Sequence, residues 1–180
     1  MPPRTGLLGL GSNIGDRRAN LQAAVDGLPR AGVDVTASSS VYDTDPVGEV
    51  TGQPSFLNAC LRVCTALEPL ELLDAVKVLE GELGRAGGGP RHGPRTIDID
   101  ILLLGEVEMR DQRMRLPHDQ LHNRRFALIP ALELDFELRT PDGARLADAL
   151  AALPPGEGEG VRWAGPPLAL EAPAVPSAAP

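Results

Sequence analysis

Between Thr96 and Leu102 the chain alternates isoleucine with aspartate, a pattern that restricts its fold severely. Successive side chains of a strand point to opposite faces, so Ile97, Ile99 and Ile101 require a dry interior while Asp98 and Asp100 share the other face. The two carboxylates then stand about 6.6 Å apart along the strand. Aspartate is disfavoured in strands and like charges repel. The pair is therefore either a half-solvated strand face or an oxygen-ligand site for Mg2+ or Ca2+.

A second alternation runs from Ser55 to Thr65, with Leu57, Ala59, Leu61 and Val63 on the core face and Phe56, Asn58, Cys60, Arg62 and Cys64 opposite. Ahead of it, Thr5 to Leu10 reads as a short strand ending in Gly11-Ser12-Asn13. Asp16 then caps a helix with the stripe Leu21, Ala24, Val25 and Leu28. Val33 to Tyr42 reads as a strand and Asp43 to Pro54 as a loop. Pro69 opens a second helix on Leu72, Leu73, Val76, Leu79 and Leu83, stopped by Gly84. Arg85 to Pro94 holds six glycines and prolines and reads as a mobile loop. The order βαββαβ predicts an α+β, ferredoxin-like sandwich: an antiparallel sheet with helices on one face and the other face open to a ligand. A short helix over Phe126 to Leu132, a turn at Thr140 to Gly143 and an alanine-rich helix to Leu153 follow. We expect one domain over residues 1–153 and a Pro/Ala/Gly-rich tail over 154–180, largely disordered because it has little to bury.

Composition narrows the function. The 180 residues carry a net charge of −8 and only 3% aromatics, which disfavours a nucleic-acid partner bound through phosphates or base stacking. Apolar runs such as Ile101 to Leu104 are far short of a membrane span, and the N-terminus lacks a signal-peptide core. We expect a cytoplasmic protein with no membrane partner, and a monomer. Cys60 and Cys64 would lie about 13 Å apart on one strand, too far to bridge, so both should be reduced.

Eight of the 17 Lys+Arg residues fall between Arg85 and Arg125, around the two aspartates, together with all three histidines. Singly, each arginine reads as solvated surface. Together, arginine forks and a carboxylate-held Mg2+ suit a polyphosphate. No G-x-x-x-x-G-K-[ST] phosphate loop occurs, and Gly9, Gly11 and Gly15 miss the dinucleotide spacing. Phe56 and Asn58 read either as an ordinary half-buried ring and edge amide, or as a stacking and hydrogen-bonding pair for a flat heterocycle. Glu80 falls among inward-facing helix positions, turned towards the site or left wet near the helix end.

Five segments in order resemble the 6-hydroxymethyl-7,8-dihydropterin pyrophosphokinase family: Leu10 to Asn13, Ser39 to Gly48, Gln53 to Ala59, Gly93 to Ile101, and Leu116 to His118 with Asn123 to Phe126. The resemblance implies transfer of diphosphate from ATP to a pterin hydroxymethyl group, with release of AMP, in folate biosynthesis. It implies that Asp98 and Asp100 hold two Mg2+ ions and that Arg95 and His118 contact the ATP phosphates. Phe56 and Phe126 would sandwich the pterin, and Asn58, with the backbone near Thr44 and Val47, would bond its edge. Arg85, Arg113 and Arg124 match further basic positions, and Arg85, Arg95, Asp98, Asp100 and His118 form the expected catalytic group. The chain departs from many relatives at Gly87, His92 and Asp119. Two rivals remain: another two-metal nucleotidyl transferase on the same sandwich, and a non-enzymatic ligand- or RNA-binding domain.

Overall fold

A computed structural model describes residues 2–46, 52–84, 94–155 and 160–170. Along the chain come β1 (Arg4–Ser12), α1 (Arg17–Gly27), β2 (Asp34–Ser38), β3 (Val41–Thr44), β4 (Phe56–Thr65), α2 (Pro69–Glu82), β5 (Asp98–Leu104), β6 (Met109–Arg110), β7 (Arg115–Leu116), α3 (Arg125–Leu134), α4 (Leu146–Ala152) and β8 (Val161–Gly165). The main sheet has the order β5-β1-β4-β3-β8 with β2 also on β4, and all its pairings are antiparallel. β6 and β7 form a separate two-stranded ribbon.

The alternations read from sequence become the two faces of this sheet. Leu8 and Leu10 of β1, Leu57, Ala59, Leu61 and Val63 of β4, and Ile97, Ile99 and Ile101 at β5 pack against Leu21, Ala24 and Val25 of α1 and Leu72, Val76 and Leu79 of α2. Asp16 caps α1 as expected, its carboxylate accepting from Ala19 N. At about 25 cal/mol per Å² of apolar surface removed from water, this layer is the main source of stability.

The opposite face is not left open, contrary to the sequence expectation. Leu7, Cys60, Leu102 and Leu103 form a second apolar patch there, and α3 and α4 cover it through Leu128, Ala131, Leu132 and Leu146. The register of β1 against β5 shifts at Leu7/Leu8, leaving Leu102 as an extra residue in the ladder. The shift puts both Leu102 and Leu103 on this second face and returns Leu104 to the first. Two polar groups fasten the cover. Arg62 Nη2 donates to Leu134 O at the end of α3 (2.7 Å), and Glu133 accepts from Ser40 N, Ser40 Oγ and Tyr42 Oη. Burial alone would raise the Glu133 carboxyl; these donors outweigh it and hold the group low. Burial and the Glu133 contact push the Tyr42 hydroxyl up to about 12.

Three further expectations are corrected. The single strand expected over 33–42 is broken into β2 and β3, and β3 runs on to Thr44, into the stretch read as loop. The alanine-rich helix ends at Ala152. Residues 160–170 are not a loose tail: β8 pairs with β3, Leu168 is buried in the first core, and Ala169 N donates to Gln22 Oε1. A few well-placed contacts are enough, because the strand ladder satisfies the backbone groups that composition leaves unaccounted for. Residues 85–93 of the expected glycine-rich loop at 85–94, with Arg85, Gly87 and His92, and the position Val47 lie outside the described residues. Cys60 and Cys64 are both free thiols on β4.

Candidate active site

α3 and α4 cover only part of the second face. Beyond their edge the sheet floor is made by Gly9 and Gly11 of β1, Asn58 of β4, and Asp98 and Asp100 of β5. The glycines leave the floor low. A Cβ at Gly11 would lie 3.1 Å from Asn58 Oδ1 and 3.6 Å from a Phe56 ring carbon. Register brings the set together: Gly9 faces Asp100 and Cys60, and Gly11 faces Asp98 and Asn58.

Two adjoining hollows meet over the aspartates. The first is lined by Thr44, Asp45, Phe56, Asn58, Leu102, Leu121 and Phe126 among others, and the second by Lys77, Arg113, Arg115, Asp119 and neighbours. Arg95, Asp98, Asp100, His118, Gln120 and Arg124 line both. One side of the site is therefore walled by aromatic and amide groups, while the other is basic.

Each ring at the first hollow carries a guanidinium. Arg95 Cζ lies 5.6 Å from the Phe56 ring centre and Arg124 Cζ 5.5 Å from that of Phe126. Arg95 also pairs with Asp98 at 2.9 Å, and its Nε is buried without a partner among the described residues. Asn58 donates its amide to Thr44 Oγ1, and both side chains are buried, so the amide is held in one orientation. Asn13 pins the rim: its Oδ1 accepts from Arg95 N (2.8 Å) and its Nδ2 donates to Gln53 Oε1 and Pro54 O. At His118, Nδ1 accepts from Gln120 N (3.2 Å), so the neutral ring carries its proton on Nε2.

Electrostatics single out Asp100. Burial raises its carboxyl above the ordinary range, and the Asp98 charge raises it further; His118, Lys77 and Arg124 offset only part of this. A carboxylate so placed favours a bound cation. Among the described residues no cluster of three or more His, Cys, Asp or Glu side chains could hold a metal ion. Two carboxylates side by side are the oxygen donor set that suits a hard ion completing its shell with water and substrate oxygens, as Mg2+ does. Glu80 is buried behind this strand, accepting from Ile99 N (2.6 Å) between the two aspartates and from Lys77 Nζ (3.0 Å), so it supports the aspartates' backbone. Cys60, also at the first hollow, is pushed up to about 12 by burial and behaves as neutral wall.

Not every residue of the basic run converges here. Arg113 reaches only the second hollow and pairs with Asp74. Arg115 pairs with Asp119, and Arg125 donates to Leu153 O and Pro154 O, tying α3 to the end of α4. Sequence reasoning missed Gly9 and Gly11 as floor, and Asp45, Lys77 and Gln120 as lining. Gly9 and Gly11 alternate with leucines, a signal of a flat strand face; the other three converge only through tertiary structure.

A profile of 7,8-dihydro-6-hydroxymethylpterin-pyrophosphokinase (HPPK) matches residues 7–136. The chain is 42% identical over 146 residues to a 2-amino-4-hydroxy-6-hydroxymethyldihydropteridine pyrophosphokinase of Pseudomonas aeruginosa, covering 81% of this chain and 89% of that one. It is 44% identical over 128 residues to the Bacillus subtilis protein of that name, covering 71% and 75%. It is also 41% identical over 128 residues to a folate synthesis bifunctional protein of Arabidopsis thaliana, covering 71% of this chain but only 26% of that relative's length. Among solved structures, an HPPK-DHPS in complex with substrates matches with a TM-score of 0.68 at 12% identity, over 84% of this chain and 43% of that one, a likeness of fold. With the profile spanning most of the chain and relatives above 40% identity, the chain belongs to the 7,8-dihydro-6-hydroxymethylpterin-pyrophosphokinase family.

Proposed function

We propose that this chain transfers diphosphate from ATP to the hydroxymethyl group of 6-hydroxymethyl-7,8-dihydropterin, releasing AMP, as a step of folate biosynthesis. The observation that carries the reading is the position of Asp98 and Asp100 at the junction of an aromatic, amide-walled hollow and a basic one. The first hollow takes the pterin: Phe56 and Phe126 face its rings, and Asn58, with the backbone at Thr44 and Val47, bonds its edge. The second takes the nucleotide, with Arg95 and His118 at the phosphates and Arg85, Arg113 and Arg124 adding positive charge.

Asp98 and Asp100 would hold two Mg2+ ions, which when bound would supply charge neutralisation for the phosphates. The residues of the chain align the reactants. The pterin oxygen attacks the β-phosphorus, an O–P bond forms, and the bond from that phosphorus to the oxygen retained by AMP breaks; the hydroxyl proton leaves to water. Arg95 and the Nε2–H of His118 point donors at charge that grows on the transferred group, and alignment with charge neutralisation suffices for phosphoryl chemistry. The chemistry belongs to residues 1–153. The ferredoxin-like description belongs to this reading, supported by the order β5-β1-β4 followed by the broken strand β2/β3. So does a cytoplasmic monomer without nucleic-acid or membrane partners, of which the acidic charge supports the lack of a nucleic-acid partner; among the described residues no helix is long and apolar enough to cross a membrane.

The test is product analysis with ATP, Mg2+ and the dihydropterin. The expected products are AMP and a pterin diphosphate in equal amounts. Release of free diphosphate with a nucleotidylated acceptor would instead support the nucleotidyl-transferase reading.

A further inference from the structure

β8 lies outside residues 7–136, the span the family profile covers, yet it touches the wall of the pterin hollow. Arg162 on β8 stands directly opposite Asp43 on β3 in the antiparallel ladder. Its Nη2 donates to Asp43 Oδ1 (3.0 Å) and to Asp45 Oδ1 (2.8 Å), spanning the two carboxylates on either side of Thr44. Gly160 adds two bonds to the same point, its N donating to Asp45 Oδ2 (3.1 Å) and its O accepting from Asp45 N (3.3 Å). From the other side, Arg17 Nη1 donates to Asp43 Oδ2 (3.2 Å) and to Ser55 O (2.9 Å). Thr44 and Asp45 line the first hollow, and Thr44 Oγ1 orients Asn58.

We infer that Arg162 is a positioning residue for pterin binding: it clamps Asp43 and Asp45 so that Thr44 and Asn58 present a fixed hydrogen-bonding edge. The inference rests on the proposed function. Arg162 touches neither the basic hollow nor the two aspartates of β5, so its effect should fall on one substrate only. The docking of the segment does not depend on it. Leu168 is buried, Leu168 N donates to Ser38 Oγ, Arg18 Nη2 donates to Pro166 O, and Gln22 Nε2 donates to Ala169 O (2.8 Å). Removing the guanidinium therefore frees the clamp while leaving β8 in place.

The experiment compares steady-state kinetics of the full chain with those of Arg162→Ala and Arg162→Lys, with melting temperatures alongside. Arg162→Ala should raise KM for the dihydropterin about three- to fivefold, in the range of a partly exposed charge network, with kcat and KM for ATP changed less than about twofold. Arg162→Lys, which keeps one charge but not the fork, should recover part of the loss. An unchanged pterin KM would overturn the inference, as would a parallel shift of both KM values and kcat with a lowered melting temperature, the mark of a merely structural role. Wild-type protein that turns over no dihydropterin would overturn the function itself, and this inference with it. An active wild type with unaltered Arg162→Ala kinetics would overturn only the clamp.

Discussion

Gly11→Ala tests whether the floor of the first hollow is as tight as its geometry implies. The added Cβ would sit 3.1 Å from Asn58 Oδ1, a few tenths of an ångström inside ordinary contact, and 3.6 Å from the Phe56 ring. Asn58 is 6% exposed and bonded to Thr44, so it has no free direction in which to yield. Either the amide turns away from Thr44 or the strand backbone shifts. A buried hydrogen bond broken in this way costs about 1–3 kcal/mol. If all of that falls on the ligand edge, pterin affinity drops about 5- to 150-fold. Titration calorimetry with a pterin and a magnesium-bound, non-hydrolysable ATP analogue reads the loss, and a thermal melt reads any part borne by the fold. At Gly9 the same substitution meets only the Leu102 side chain at 3.4 Å, an ordinary contact, so its melting temperature should stay near wild type. Pterin affinity within twofold of wild type, with an unmoved melt, in Gly11→Ala would refute the reasoning about the floor.

Asp100→Asn should stabilise the metal-free protein at neutral pH while abolishing turnover. Burial and Asp98 raise the Asp100 carboxyl in the folded state, so its ionisation opposes folding above the unfolded carboxylate range and makes no difference well below it; melts across pH check the sign. For the same reason Mg2+ affinity in wild type should weaken as pH falls through that raised range, since proton and metal compete, and calorimetry at several pH values would show a flat profile if the argument is mistaken. Leu128→Ala, at a fully buried position on the inner side of α3, should cost about 2–5 kcal/mol in urea denaturation, and a loss below ~1 kcal/mol would mean the second core is far looser than described.

The alternation of β4 and β5 was legible because each residue type states its own preference for wet or dry, and the antiparallel ladder only assembles what the period of two already separates. The α1 and α2 stripes were legible for the same reason. The cover over the second face was not, because its patch is assembled from isolated residues. Leu7 sits beside Gly6, Cys60 follows Ala59, and Leu103 joins them only because of the register shift. Reading that face as open followed from the element order βαββαβ, which places both early helices on the other side; Arg62, on the strand face opposite the first core, serves α3 by donating to Leu134 O. β8 escaped notice because its anchors are pairings with residues more than a hundred positions away, such as Arg162 with Asp43. At the site, the aspartates, the two phenylalanines and Asn58 follow from local pattern and resemblance, whereas Asp45, Lys77 and Gln120 reach it only once the chain is folded.

The most direct test of the account is the affinity of a non-hydrolysable ATP analogue, measured by calorimetry with Mg2+ and with the ion chelated, for wild type and for the Asp98→Asn, Asp100→Asn double variant. The account predicts tight uptake by wild type only when Mg2+ is present, and weak uptake by the double variant in both conditions. Equal affinity in wild type with and without the ion would contradict it.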